Sequence, residues 1–116
     1  MDKADAVGAL AALAQDSRLD VFRLLMEAGP KGLAAGDLAG RLCIGASTLT
    51  FHCDRLRAAG LVTVRRDGRS MIYAARFEAM QDLIGYLTDN CCGGQPCLPA
   101  AACKPAPSSR RKRETA

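Results

Sequence analysis

Residues 46–74 read ASTLTFHCDRLRAAGLVTVRRDGRSMIYA, and this stretch decides the fold. Leu49, Cys53 and Leu56 recur at i, i+4 and i+7, one face of an α-helix over residues 46–59. Ser47, Thr48, Thr50, Phe51, Asp54 and Arg55 are left facing solvent or a partner. Gly60 is a C-terminal stop. Beyond it, LVTVRR (61–66) and RSMIYA (69–74) are β-rich. Asp67-Gly68 between them is a favoured two-residue hairpin turn. Arg65, Arg66 and Arg69 flank the tip.

Working outward, everything upstream reads as support for that helix. Residues 2–15 form an Ala-rich helix with Val7, Leu10, Ala11 and Ala14 at helical spacing, a face suited to close packing or to a dimer seam. Asp16 and Ser17 offer an N-cap to a second helix over 17–28, whose apolar face is Val21, Leu24, Leu25 and Ala28. Gly29-Pro30 ends it. Residues 34–42 form a short third helix with Leu38 and Leu42 as an apolar pair, and the turn CIGA leads into residue 46. Two helices joined by a tight turn, with short polar residues at the exposed start of the second, make a helix-turn-helix. A cationic hairpin beside it is a wing, which follows the phosphate backbone and enters the minor groove. A fifth helix over 76–90 carries Phe77, Met80, Ile84 and Leu87 on one face. That face either pairs with the first helix across a two-fold axis or packs within its own chain. The expected fold is mainly α with a β-hairpin wing: a winged helix-turn-helix of four helices, two strands and a fifth helix, as a homodimer.

The chain is 116 residues long, room for one domain, expected over residues 1–97. Residues 98–116 are rich in Pro, Ala and Ser, end basic, and read as a disordered tail. Its RRKR run adds either weak affinity for DNA or solubility. The composition is 49% apolar but 4% aromatic, which fits closely packed helices better than an aromatic enzyme pocket. No signal-peptide pattern opens the chain and no apolar run spans a bilayer, so a cytoplasmic location without membrane contact is expected. The net charge is +4, but its distribution matters more. Lys104, Arg110, Arg111, Lys112, Arg113 and Glu114 account for all of it, leaving 11 basic and 11 acidic groups in residues 1–103. Within those, residues 55–76 carry six arginines (Arg55, Arg57, Arg65, Arg66, Arg69, Arg76) against Asp67. Residues 77–103 carry Glu78, Asp82 and Asp89 and no base. A basic patch confined to the helix and hairpin fits a phosphate-binding face.

Six cysteines are present: Cys43, Cys53, Cys91, Cys92, Cys97 and Cys103. Four crowd into residues 91–103, and without an export signal they read as reduced thiols gathered for metal work. Cys53 at a core-facing position and Cys43 beside the turn read as small buried hydrophobes.

The motif S-T-x-x-x-H-x-x-x-L-R-x-A-G-L-V followed by R-R-x-G-R-x-x-x-Y resembles the ArsR/SmtB family of winged-helix metal-sensing repressors, over roughly residues 6–97. The resemblance implies a homodimer that binds a palindromic double-stranded operator and leaves it when metal binds. It places Ser47, Thr48, Thr50 and Phe51, with Arg55 beside them, on the recognition helix, and Arg66 and Arg69 in the wing. Phe51 then contacts a thymine methyl or packs on Arg55. His52 fills a position often occupied by His in the family; packing is favoured over base readout, and as the sole histidine it builds no His-based zinc site. Two family metal sites are excluded. Leu33-Ala34-Ala35-Gly36-Asp37-Leu38 stands where one arsenic-sensing type carries Cys-x-Cys, and the last helix lacks the histidines of the zinc-sensing type. What remains, Cys91-Cys92-Gly93-Gly94-Gln95-Pro96-Cys97, is similar to a subgroup whose arsenic site lies at the end of the last helix.

The chemistry of that segment suits As(III) or Sb(III) as inducer, with no permanent cofactor. Both ions are soft and bind thiolates, three sulfurs forming a pyramid, whereas zinc prefers a closed tetrahedron. Adjacent cysteines on a helix diverge by about 100°, so the helix must end or unwind for Cys91 and Cys92 to share an ion; Gly93, Gly94 and Pro96 allow it. Four alternatives use the same residues: a methylated arsenical held by two thiols, zinc or cadmium recruiting Cys103, a thiol redox switch, and an inert tail. An enzyme, such as a small arsenate reductase or thiol oxidoreductase, is disfavoured because no Cys-x-x-Cys opens a helix after a strand and no anion loop or base accompanies the thiols. A metal-buffering protein with a vestigial DNA fold is the third class.

Overall fold

In the computed structural model, residues 1–89 and Gly93 are described. Cys91, Cys92, Cys97, Cys103 and the tail from residue 98 lie outside the described residues. Met1–Tyr86 form one compact unit, and a second begins at Leu87.

Helix α1, Lys3–Leu13, starts from a capping box: Asp5 N donates to Asp2 Oδ1 at 2.8 Å and Asp2 N to Asp5 Oδ2 at 3.4 Å. Its inward face is Ala6 and Ala9. The stripe expected to repeat at helical spacing (Val7, Leu10, Ala11, Ala14) is exposed, with Val7 57% open. In an Ala-rich helix the smaller face approaches the core more closely. Helix α2, Asp16–Ala28, is capped by Gln15, whose Oε1 accepts from Arg18 N at 2.9 Å; Asp16 and Ser17 are not the cap. Val21, Phe22 and Leu25 are its buried residues. Phe22 was not part of the expected face, while Leu24 and Ala28 are only half-buried.

A 3-10 turn, Gly29–Lys31, leads to Gly32. Gly32 has φ +72°, and a Cβ there would collide with the Tyr73 carbonyl oxygen, so no other residue fits. That close approach reflects a strand absent from the sequence reading: β1, Leu33–Ala34, pairs antiparallel through Leu33↔Tyr73 and Ala34↔Ile72. Two residues are too short to show a period of two. Helix α3, Ala35–Leu42, buries Leu38 and ends at Cys43, in the left-handed conformation with φ 55°. Cys43 is exposed there, not the small buried hydrophobe expected.

Helix α4, Ala46–Ala58, is followed by Gly60 at φ +79°, as its spacing requires. Strands β2 (Val62–Asp67) and β3 (Ser70–Ala75) complete a sheet of order β1-β3-β2. Asp67 pairs with Ser70, so the two-residue turn is Gly68-Arg69, one position later than the Asp-Gly dipeptide suggests. Gly68 has φ +64° and Arg69 does not share it. Glycine at the first central position is the type II′ requirement, which competes with the type I′ preference for Asp-Gly. The shift puts Arg66 opposite Met71 and places Arg69 at the very tip.

Helix α5, Phe77–Leu87, buries Ala79 and Leu83. Phe77, Ile84 and Leu87 are each more than half exposed and Met80 is half-buried. Among the described residues the stripe is divided: Met80 packs against the core of its own chain, while Phe77, Ile84 and Leu87 stay open. The core is mostly aliphatic: Val21, Leu25, Leu38, Leu49, Leu56 and Leu61 are fully buried, and Phe22 and Tyr73 join them. It clamps α4 from behind and leaves its front in solvent. Among the described residues no helix is long and apolar enough to cross a membrane.

Candidate nucleic-acid interface

Helix α4 is anchored by Leu49, His52, Cys53 and Leu56, with at most 7% of any of them exposed. Their spacing turns Ser47, Thr48, Thr50, Phe51, Asp54 and Arg55 outward, and all six are exposed. Gly45 provides no side-chain cap. The first-turn amides of α4 therefore lack a side-chain acceptor, at the end where the helix dipole favours an anion. Short hydroxyl side chains beside free amides suit a phosphate or a base edge. Phe51 is 56% exposed, and the Arg55 guanidinium lies 5.8 Å from its ring centroid. The packing of Phe51 on Arg55 is thus present in the free chain; the pair presents one apolar and one cationic surface together.

The six arginines of residues 55–76 divide by what they touch. Arg65 donates to the Lys31 carbonyl at 2.9 Å, tying the wing to the turn after α2. Arg76 donates to the Gly60 carbonyl at 3.0 Å, closing the stop after α4. Arg57 lies 3.9 Å from Asp54, both more than half exposed, a geometry worth little in water. Arg55, Arg66 and Arg69 make no ion pair or hydrogen bond within the described residues and are exposed. The six arginines that the sequence groups together are, in the fold, three exposed without a partner among the described residues, two holding the scaffold and one, Arg57, in a weak surface pair. Arg55 stands on α4; Arg66 and Arg69 stand on the wing.

Sequence reasoning missed Arg18. It opens α2, yet its Nε donates to the Ala12 carbonyl at 2.7 Å and its Nη1 lies 3.4 Å from His52 Nδ1. His52 is 7% exposed, in keeping with packing over base readout. Burial, and then the Arg18 charge, hold its pKa below the ordinary histidine range. No sequence signal links residues 18 and 52; only the fold brings them together.

Of the six cysteines, Cys43 and Cys53 are described, both as free thiols. Burial first, and Asp54 second, push the Cys53 thiol up to about 12. It stays protonated at neutral pH and is a poor metal ligand. Among the described residues no three His, Cys, Asp or Glu side chains are grouped to hold a metal.

A helix-turn-helix with a cationic hairpin wing defines a class of DNA-binding transcriptional regulators. Comparison with known proteins makes the class specific. A helix-turn-helix domain model matches residues 13–65. The nodulation protein NolR of Rhizobium meliloti is 33% identical over 84 residues, 72% of this chain and 66% of NolR's own length. The structure of HlyU from Vibrio cholerae, described as a transcriptional activator, superposes with a TM-score of 0.61 at 30% identity, covering 79% of this chain and 99% of that one. An ArsR-like transcriptional regulator from Rhodococcus superposes with a TM-score of 0.64 at 27% identity, over 72% of this chain and 76% of that one. The chain belongs to the ArsR family of winged helix-turn-helix transcriptional regulators. It is a DNA-binding regulator, not an enzyme.

Proposed function

We propose that the protein is an arsenic(III)- or antimony(III)-responsive transcriptional repressor, cytoplasmic and homodimeric. It binds a palindromic operator when metal-free and dissociates when the metalloid binds. One observation carries the DNA-facing part: every residue assigned to readout or phosphate contact (Ser47, Thr48, Thr50, Phe51, Arg55, Arg66, Arg69) is exposed, while Leu49, Cys53 and Leu56 lock the opposite face of α4 into the core. Hydroxyls and Phe51 read bases, and the arginines neutralise phosphates. The dimer reading is supported by the apolar side chains left open on α1 and α5, Val7, Leu10 and Phe77 among them. The two recognition helices would then meet half-sites about one DNA turn apart.

The inducer reading rests on sequence chemistry. Cys91, Cys92 and Cys97 supply three soft sulfurs, with Gly93, Gly94 and Pro96 permitting the backbone to fold them onto one ion. Residues 1–97 then act as one DNA-binding and sensing domain, and residues 98–116 as its tail. Metalloid binding reshapes the end of the last helix, changes the spacing of the recognition helices and releases DNA.

The test is DNA release followed by fluorescence anisotropy against arsenite, antimonite, methylarsenite, zinc and cadmium. Arsenite and antimonite are expected to release DNA. A chain with Cys91→Ser, Cys92→Ser and Cys97→Ser keeps DNA binding and loses that release. Full release in the triple variant sinks the sensor assignment. Release by methylarsenite, zinc or cadmium but not by arsenite or antimonite, lost in the triple variant, keeps the site and changes the inducer.

A further inference from the structure

Arg18 and His52 are not used by the proposed contacts, yet they join three helices. The Arg18 side chain starts on α2, donates to the last turn of α1 at the Ala12 carbonyl (2.7 Å), and reaches His52 Nδ1 on α4 (3.4 Å). A guanidinium only donates and remains charged. Nδ1 must therefore be the acceptor, which fixes His52 as the neutral ring with its proton on Nε2. Protonation removes that acceptor and sets a second cation against the first.

The charge around His52 comes from few groups. Besides burial, Arg18 of α2 is the charge that bears on it. Helix α1 adds Gly8, Ala11 and Ala12 to the cleft beside Arg18, and no charge. On α4 itself Arg55 lines the same cleft. Among the described residues no carboxylate of the elements packed there (Asp5 of α1, Asp16, Asp20 and Glu27 of α2, Asp37 of α3, Asp54 of α4, Asp67 of β2) hydrogen-bonds to or pairs with His52. His52 also adjoins the exposed surface through Phe51, whose ring centroid is 5.7 Å away, and Phe51 carries Arg55.

We propose that Arg18 is a positioning residue for DNA binding: by holding the neutral His52 ring it fixes how α4 sits against α1 and α2, so DNA affinity falls as His52 takes up a proton. The inference rests on α4 being the DNA-facing helix. Its sign is diagnostic. A histidine that touched phosphate would tighten binding on acidification, because it adds a positive charge. His52 does the reverse, since its charge disrupts the seat of the helix.

The experiment uses the full-length chain and a duplex selected by it from a random library at neutral pH. Affinity is read by fluorescence anisotropy at constant ionic strength from about pH 7.5 down to about pH 4.5, because burial and Arg18 lower the pKa of His52, with circular dichroism at each pH. Wild type is expected to lose about fivefold or more in affinity across that range while keeping its helicity. In His52→Asn the amide oxygen replaces Nδ1 as an acceptor that does not titrate. That variant is expected to match wild type at neutral pH and to show a flat profile. Arg18→Met is expected to bind more weakly at every pH, with a shallower profile. Affinity that is constant or rises on acidification in wild type, or an equal fall in His52→Asn, overturns the proposal. Selection of no duplex at all overturns the DNA-facing reading instead, and the inference with it.

Discussion

Helices α4 and α5 are both amphipathic, but they resolve it in opposite ways. Helix α4 turns Leu49, Cys53 and Leu56 inward and shows hydroxyls and an arginine to solvent. Helix α5 turns the smaller Ala79 inward with Leu83 and leaves Phe77 and Ile84 more than half exposed. The first helix is complete within one chain and offers a polar surface. The second leaves large apolar side chains open among the described residues. Large exposed apolar side chains grouped on a small protein mark an interaction surface. Helix α1 repeats the pattern, with Ala6 and Ala9 inside and Val7 and Leu10 outside. Among the described residues α4 and the wing thus present polar and cationic side chains, and α1 and α5 present apolar ones.

That contrast can be broken by substitution. The largest effect is expected on the inner face of α4. Leu56→Ala removes a fully buried side chain and is expected to cost about 2–5 kcal/mol of stability, read as a fall in thermal midpoint. A loss near zero would mean α4 is not seated in the core. Next comes the outer face of α5. Phe77→Glu, at a position 57% exposed, is expected to leave helicity intact and to shift the chain from dimer to monomer in sedimentation velocity. Unchanged sedimentation would remove this surface from the dimer reading. The smallest effect separates the arginines. Arg69→Ala is expected to weaken DNA binding evenly across sequences and to reduce the salt slope by about one. Arg57→Ala, which breaks only an exposed pair of 3.9 Å, is expected to change stability by less than about 0.5 kcal/mol and to leave the salt slope nearly unchanged. Equal effects from the two would undo the sorting of the patch.

Much of this was legible before any coordinates. The 3.6-residue period of Leu49, Cys53 and Leu56 marks one face for burial whatever surrounds it. Gly60 has to follow the helix because it adopts φ +79°. The hairpin and its arginines follow from β-rich runs around a glycine. Where the reading slipped, two local solutions were nearly equal. Asp67-Gly68 and Gly68-Arg69 are both acceptable turns, and sheet pairing chose the second. Gln15, Asp16 and Ser17 stand together, and the entry of the chain from α1 chose Gln15 as cap. In α1, the stripe with Val7 and the stripe with Ala6 are both helical in period, and the space available beneath the helix chose the smaller.

What the sequence by itself determined is the order of the five helices and the hairpin, the inner face of α4 and the segregation of positive charge into residues 55–76, because periodicity, turn chemistry and charge act over a few neighbouring residues. Only the tertiary structure decided which arginines are spent on the scaffold. Arg65 meets Lys31, and Arg18 meets His52, each across 34 positions of chain. A hydrogen bond at that separation depends on how whole helices pack, and no local pattern encodes it. The helix and hairpin of residues 46–74 therefore carry the exposed hydroxyls and arginines on their own, while two of the hydrogen bonds that tie them to the rest of the fold come from partners far away in sequence.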